Sequence, residues 1–403
     1  MRRPAAGEER SAPPLRAVVV GGGIGGVAAA LAMARAGIDV RVYEQAARLE
    51  EVGAGVVLAP NSLRLLHRLG VGAEISRRGA HLTDTRLCHA DGRTAVHDPD
   101  QFSRPGERFG MHRADLLDIL SGCLPPGAVR TGHRCVGFDQ DRGRAMVTFG
   151  NGERAEADVV IGADGIHSAL QRHVAPPSEP EFSGVVAYRG VIPADRVPSW
   201  PAGTMRLWMG EGKHFLVFPV RAGRLLNYVG FVPSGERLRE SWSASGDAVA
   251  LAAEFAGWDP VIGTVIEAIG VTGFRWGLYD RAPLPRWSRG RLTLLGDAAH
   301  PMLPHLGQGV NQAIEDAAAL ATMLQAVDPG GVPRALTAYE SLRRDRTARI
   351  QRGSRLNGAS YDSSGGGPGG PAPSARPQQR RWIYDYDVQA EAAPVAAALR
   401  KGS

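Results

Sequence analysis

The sequence is poor in cysteine, in lysine and in long apolar runs, and each shortage closes off a class of explanation. Its three cysteines, Cys88, Cys123 and Cys135, show no CxxC pairing, so neither a zinc site nor a disulfide framework is expected. Reduced thiols suit a cytoplasmic protein, and that is the compartment expected. Lys213 and Lys401 are the only lysines among 47 basic residues. Those 47 face 41 acidic residues, for a formal net charge of +6, and the two signs are mixed along the chain. No basic stripe with interleaved aromatics marks a nucleic-acid partner. No uncharged apolar run approaches the roughly 18 residues of a membrane-spanning helix. Residues 1–14 lack the apolar centre of a signal peptide and read as a disordered tail. Monomer and homodimer are both open.

What is present is ordinary globular material, 43% hydrophobic and 22% charged, enough for a large fold. Leu15 to Val20 reads as a short β-branched strand running into glycines. Ile24 to Ala36 is an alanine-rich helix closed by Gly37, and Ile38 to Tyr43 is a second strand ending at Glu44. This is a βαβ unit. Asn61 is placed as the N-cap of a short helix carrying Leu63, Leu66 and Leu69, and a further helix spans about Arg113 to Leu124. Short alternating strands fill Arg134 to Ile161, with a hairpin turn at Asn151-Gly152. Runs at Val185–Val191, Thr204–Met209, Phe215–Val220 and Leu225–Val232 read as a four-strand antiparallel sheet. Asp247 to Ile269 is helical with a break near Pro260, Arg291 to Leu295 a strand, and Gly309 to about Val327 a long helix. Residues 363–376 are a Gly/Pro/Ser-rich flexible linker.

Two constellations carry chemistry. The first is Gly21-x-Gly23-x-x-Gly26, with Glu44 closing the next strand 18 residues on. A tight turn, a close approach to a pyrophosphate and close helix–strand packing need the three glycines in turn. The helix N-terminus offers N–H groups to phosphate, and the acid accepts ribose hydroxyls. With a strand before and a helix after, the motif favours a dinucleotide, but by itself it does not separate FAD from NAD. The second constellation decides for FAD: Gly296-Asp297 at another strand's end, then Gly307-Gln308-Gly309-Val310-Asn311 opening a helix. A carboxylate there suits a ribityl chain. The glycines admit a flat ring, and the helix dipole faces the edge where a reduced flavin gathers negative charge.

Gly21-x-Gly23-x-x-Gly26, Asp164-Gly165 and Gly296-Asp297, in that order and spacing, resemble the three fingerprints of single-component FAD-dependent aromatic hydroxylases. Within that p-hydroxybenzoate hydroxylase fold, the similar branch holds salicylate, 3-hydroxybenzoate and 6-hydroxynicotinate hydroxylases. Gly53-Ala54-Gly55, Pro60-Asn61, His112 to Leu116, Tyr188-Arg189-Gly190, His214 with Phe218-Pro219, and Trp382 to Asp387 extend the resemblance to the C-terminus. It implies an α/β fold: a Rossmann-like FAD-binding domain (15–75, 106–180 and 280–350), an inserted, mainly antiparallel β-sheet substrate domain (76–105 and 181–279), and a C-terminal helical segment (351–403). It further implies that Glu44 binds the adenosine ribose, Arg113 contacts FAD, Asp164 serves FAD and the nicotinamide cofactor, and Asp297 holds the ribityl chain and phosphate. NADH or NADPH acts as co-substrate without a domain of its own, in keeping with the single dinucleotide motif. One departure stands out. The family places an arginine three residues after the serine of Asp-Gly-Ile-His-Ser, whereas this chain has Gln171 there and Arg172 one place late.

The chemistry implied by the resemblance is reduction of flavin by NAD(P)H, capture of dioxygen as a flavin hydroperoxide, and attack of its distal oxygen on an electron-rich phenolic or hydroxy-heteroaromatic ring. That step wants water excluded and a base near the ring hydroxyl. By resemblance His214 is the first candidate base and His305 the second; histidine titrates in the useful range. His300 reads as structural. Arg189 is a candidate to pair a substrate carboxylate, an outward-facing strand arginine being the equal alternative, and Arg206 and Asn227 are similar candidates. Tyr188, Leu207, Phe215, Val217 and Phe231 are candidate pocket walls, although a buried core face looks identical in sequence. A halogenase lacks support, because its Trp-x-Trp-x-Ile-Pro segment and active-site lysine are missing. An FAD oxidoreductase without oxygen insertion, an oxygenase for a larger polyketide-like ring and a non-catalytic flavin protein stay open.

Overall fold

The computed structural model describes residues 14–49, 54–97, 107–210, 212–235, 245–246, 248–270, 273–362 and 380–401. The N-terminal tail, Gly53 and the Gly/Pro-rich linker lie outside the described residues. The organising element is a six-stranded sheet in the order 288–289, 292–294, 159–162, 16–20, 39–43, 129–130. All its pairings are parallel except that of the outer hairpin 288–289/292–294. Ala17–Val20, Val159–Gly162 and Leu292–Leu294 are buried throughout, which suits a sheet covered on both faces. Val20 stands opposite Gly162, and Gly162 opposite Leu294. The three glycine motifs, far apart in sequence, therefore leave the carboxyl ends of three adjacent parallel strands at one level. That is where open α/β sheets bind ligands.

Two helices pack on each other beside these strand ends, Ile24–Arg35 and Gly309–Leu324. Small side chains allow the approach: a Cβ on Gly25 would stand 3.1 Å from the Ala313 Cβ. The first of these, Ile24–Arg35, ends as expected, with Gly37 at φ +81° after Ala36.

The second body is an eight-stranded mixed sheet in the order 245–246, 273–280, 181–193, 225–233, 213–220, 204–210, 84–89, 94–97. The four strands expected from sequence form its centre. The strand Asp84–His89 joins parallel to Thr204–Gly210, so the sheet is not purely antiparallel. One face is covered by the helices Ala248–Glu254 and Pro260–Glu267 and packs Trp208, Phe215, Val217, Phe255 and Trp258 into a core. Asp259 caps the second of these helices through Val261 N–H at 3.1 Å, which accounts for the break near Pro260. The longest helix, Val332–Asp362, is not marked in the sequence by a clean apolar stripe. It runs past both bodies, contacting the helix Gly309–Leu324 and the strands 204–210 and 213–220.

Candidate active site

The two bodies meet at a cavity of about 460 Å³. One wall comes from the strand-end motifs: Gly23, Ile24, Gly25, Ala163, Gly165, Gly296, Asp297, Gly307, Gly309 and Val310. The opposite wall comes from the eight-stranded sheet, including Ala187, Arg189, Leu216, Phe218, Val229, Phe231 and Trp276. Arg113, at the start of the helix Arg113–Ser121, lines the cavity beside Gly55 to Val57.

Each glycine of the first motif has a separate reason. Gly21 has φ +112°, and a Cβ there would lie 2.2 Å from the Ala163 carbonyl oxygen. A Cβ on Gly26 would lie 2.0 Å from the Gly21 carbonyl oxygen. Gly23 has an ordinary φ of −68° and no atom within 4 Å of a built Cβ. Among the described residues nothing demands glycine at this second place of the motif, so the empty side belongs to whatever fills the cavity. Gly165 and Gly307 likewise have nothing within 4 Å. The helices beginning at Ile24 and Gly309 have no side-chain N-cap and no acid in their first turn, so both N-termini face the cavity with donors to give. Asp164 adds a buried Oδ1 without a hydrogen-bond partner among the described residues, while its Oδ2 accepts from Ala169 N at 2.8 Å. Burial pushes this carboxyl up from its ordinary value. Asp297 is exposed to the cavity although Gly296 and Ala298 beside it are buried. Open-faced glycines, two uncapped helix N-termini and a carboxylate at a strand end fit a flavin dinucleotide.

Several expected residues work from behind the wall. Glu44 accepts from Gly22 N at 2.6 Å and Ala46 N at 2.8 Å, fixing the glycine turn. Asn311 is fully buried and does not line the cavity. It accepts from Ala59 N (2.9 Å) and the Ser62 hydroxyl (2.5 Å) and donates to the carbonyls of Val57 (3.0 Å) and Gly307 (2.7 Å). Asn61 is not an N-cap: Ala59 holds that place, Pro60 is the first helical residue, and Asn61 donates to Glu315 at 2.6 Å. Glu315 and Asp316, fully buried on the helix Gly309–Leu324, take ion pairs from Arg343 at 2.5 and 2.8 Å. His300 pairs Asp316 at 2.5 Å, and the same carboxylate accepts from Gly296 N at 3.1 Å. Burial alone would raise the Asp316 carboxyl, but His300 and Arg343 outweigh it and hold it at about 2. Sequence reasoning passed over Arg343 and Glu315, whose signal is a charge conflict on otherwise apolar helix faces.

The alternation of the strand Lys213–Val220 sorts the substrate-side candidates. His214, Leu216 and Phe218 share the cavity face. Phe215 and Val217 point to the opposite face, into the core beneath the helices, and this corrects their placement as pocket walls. Leu207 also leaves the lining and packs with Leu87, Met209 and Tyr361. Arg189 and Phe231 do line the cavity. The Arg189 guanidinium stands 5.8 Å from the Trp276 ring centroid. His214 and His305 are not in the lining. They lie just behind Phe231: His214 stacks on Phe231 at 4.1 Å, and the His305 ring is 5.1 Å from His214 and 5.3 Å from Phe231. Burial, with His214 alongside, pushes His305 down to about 3. Burial also lowers His214, against a raising contribution from Asp362. Gln171 is buried and accepts from Arg281, whose guanidinium also donates to the Ile166 carbonyl at 2.7 Å. A guanidinium thus reaches this loop from another element, while Arg172 stays exposed.

Residues 15–354 match the family model described as FAD binding domain. The chain is 40% identical over 400 residues to a 3-amino-4-hydroxybenzoate 2-monooxygenase of Streptomyces platensis, covering 95% of this chain and 98% of that protein. It is 35% identical to a 6-hydroxynicotinate 3-monooxygenase of Bordetella bronchiseptica, over 93% and 96% of the two chains. A solved salicylate hydroxylase substrate complex superposes with a TM-score of 0.79 at 28% identity, covering 95% of this chain and 98% of that one. With the strand-end glycines, the uncapped helices and Asp297 gathered on one cavity, the chain belongs to the FAD binding domain family, among its aromatic-ring monooxygenases.

Proposed function

We propose that this protein hydroxylates a small hydroxy-aromatic acid, with FAD bound along the strand-end wall and the ring held against the eight-stranded sheet. The observation that carries the reading is the single cavity shared by Gly23, Gly165 and Asp297 on one side and Arg189, Leu216 and Phe231 on the other. Bound FAD supplies the redox chemistry, accepting hydride from NADH or NADPH and activating dioxygen. The chain's own residues do the rest. The Gly23 turn and the N-terminus of the helix Ile24–Arg35 would hold the pyrophosphate, with Glu44 fixing the turn through Gly22 N–H. Asp297 would accept hydrogen bonds from the ribityl hydroxyls, and Arg113, at the start of the helix Arg113–Ser121, would contact the cofactor. Gly307, Gly309 and Val310, which line the cavity, would offer backbone N–H groups to the flavin and stabilise negative charge there.

On the substrate side, Arg189 pairs the carboxylate, as a guanidinium does for planar anions. The substrates named for the relatives, an aminohydroxybenzoate and a hydroxynicotinate, both carry such a group. Apolar Leu216, Phe218, Val229 and Phe231 keep water from the reacting ring. His214, reached past Phe231, takes the ring-hydroxyl proton, and a phenolate is the better nucleophile. His305 stays neutral and offers a polar contact beside it. The test is a panel of hydroxylated benzoates and pyridine carboxylates scored for stimulated NADH and NADPH consumption and for a product one oxygen heavier. The expected outcome is strong stimulation by at least one acid with matching product. Consumption that no acid stimulates, or that yields only peroxide, contradicts the proposal.

A further inference from the structure

His214 is gripped from one side only. Its Nδ1 lies 3.0 Å from Oδ1 of Asp362, the last residue of the long helix Val332–Asp362. Its Nε2 is buried and has no hydrogen-bond partner among the described residues. The imidazole is 1% exposed, so this orphan nitrogen faces no bulk water, and an unmet buried polar atom is costly. We propose that Asp362 is the positioning residue of the hydroxylation: it accepts the Nδ1–H of His214 and leaves Nε2, behind the cavity-lining Phe231, as a bare lone pair that takes the ring-hydroxyl proton of the substrate. The inference rests on His214 as the base.

A carboxylate only accepts, so the hydrogen bond places the imidazole proton on Nδ1. Without it the opposite tautomer is equally available, and that tautomer presents an N–H, which cannot act as a base. The groups around His214 are few. Asp362 and Tyr361 come from the long helix, His305 from the loop Pro304–Leu306, and Phe231 from the adjacent strand. Arg380 reaches the Tyr361 hydroxyl at 3.0 Å and Asn357 Oδ1 at 3.2 Å. His305 is neutral above about pH 3, so it adds no charge at working pH. Burial keeps His214 neutral at rest, and Asp362 opposes that burial. In the step itself the substrate O–H bond breaks, its electron pair stays on the ring oxygen, and a new N–H bond forms at Nε2. The imidazolium created there is compensated by the Asp362 carboxylate across the ring. Nothing is oxidised in this step, and the proton returns to solvent or product after oxygen transfer.

The test uses the FAD-loaded enzyme without NAD(P)H, so that no turnover occurs, and 4-hydroxy-3-nitrobenzoate as probe, whose phenolate is yellow. The bound probe's ionisation midpoint is read by difference absorbance against pH in wild type, Asp362→Asn, Asp362→Glu and His214→Gln, each checked for FAD content and melting temperature. An opposite charge at this range shifts a midpoint by about one unit or more. Asp362→Asn is therefore expected to raise the probe's midpoint by at least about one unit, a tenfold loss of phenolate at fixed pH. His214→Gln is expected to raise it as well, and Asp362→Glu to fall back toward wild type. If His214→Gln moves the midpoint and Asp362→Asn does not, Asp362 only anchors the helix end and the inference is overturned. If neither moves it, His214 is not the base and the inference falls with it. Substrate-stimulated NAD(P)H consumption by wild type then still stands as the separate measure of the broader proposal.

Discussion

Gly21 and Gly23 stand two residues apart, and their substitution separates the fold from the cofactor. Gly21→Ala puts a methyl into the Ala163 carbonyl and forces a side chain onto φ +112°; the backbone conformation alone costs about 1–3 kcal/mol. Gly23→Ala adds a methyl to open space in an ordinary conformation. Urea denaturation of the apoproteins is expected to show a clear loss for Gly21→Ala and a change within about 0.5 kcal/mol for Gly23→Ala. Titration with FAD is expected to show that Gly23→Ala weakens binding by about tenfold or more, because the methyl occupies the pyrophosphate's approach. Equal FAD affinity in Gly23→Ala and wild type contradicts the assignment. This motif is legible in sequence because its demands are local, set by a turn and one helix end. Phe215 and Val217 are not legible in the same way. Alternation says that they share a face, but only the helices Ala248–Glu254 and Pro260–Glu267 decide which face is core. Asn311 is a similar case: its position next to Val310 suggests a cofactor contact, and only the fold reveals four internal partners.

The element whose placement matters most is the helix Gly309–Leu324, because its N-terminus forms part of the cavity. Its hold is electrostatic and buried: Arg343 pairs Glu315 and Asp316, and His300 pairs Asp316, all within 1% exposure. Removing one partner of such a group strands the others, at about 3–5 kcal/mol. Arg343→Met is therefore expected to lower unfolding free energy by that amount and to release FAD before global unfolding, seen as flavin fluorescence rising ahead of the loss of circular dichroism. Coincident transitions contradict this role. The pH dependence follows from the same cluster. The folded Asp316 carboxyl, held at about 2, lies below its ordinary 3.8. Its stabilisation is present above about pH 4 and is lost as pH falls toward 2. Asp316→Asn is expected to flatten stability between these values while lowering it at neutral pH; an unchanged acid limb counts against the pairing. The helix itself was readable from Gly309 onward. Its anchor was not, because the partner helix Val332–Asp362 carries charge on faces that become buried only after packing.

For the whole molecule, three parallel strands ending at one level and a second sheet closing over them make one chamber from both bodies. The order of the motifs announced the parallel sheet, and the register Val20–Gly162–Leu294 explains why segments separated by more than a hundred residues act together. On the proposed placement FAD would contact strand ends that meet only in the folded state, so it would stabilise by mass action. At a free concentration one hundred times Kd the gain is about 2.7 kcal/mol, and the melting temperature of the apoprotein is expected to climb with added FAD and not with added NAD. Asp297→Ala is expected to shift that titration to higher FAD by about ten- to a hundredfold, the loss of a charged acceptor. The most direct test of the account is turnover under ¹⁸O₂ with NADH or NADPH and the acid that stimulates consumption best, read by mass spectrometry of the product. One ¹⁸O atom on the aromatic ring is the predicted result. A product carrying oxygen from water, or cofactor oxidation without any labelled ring, contradicts it.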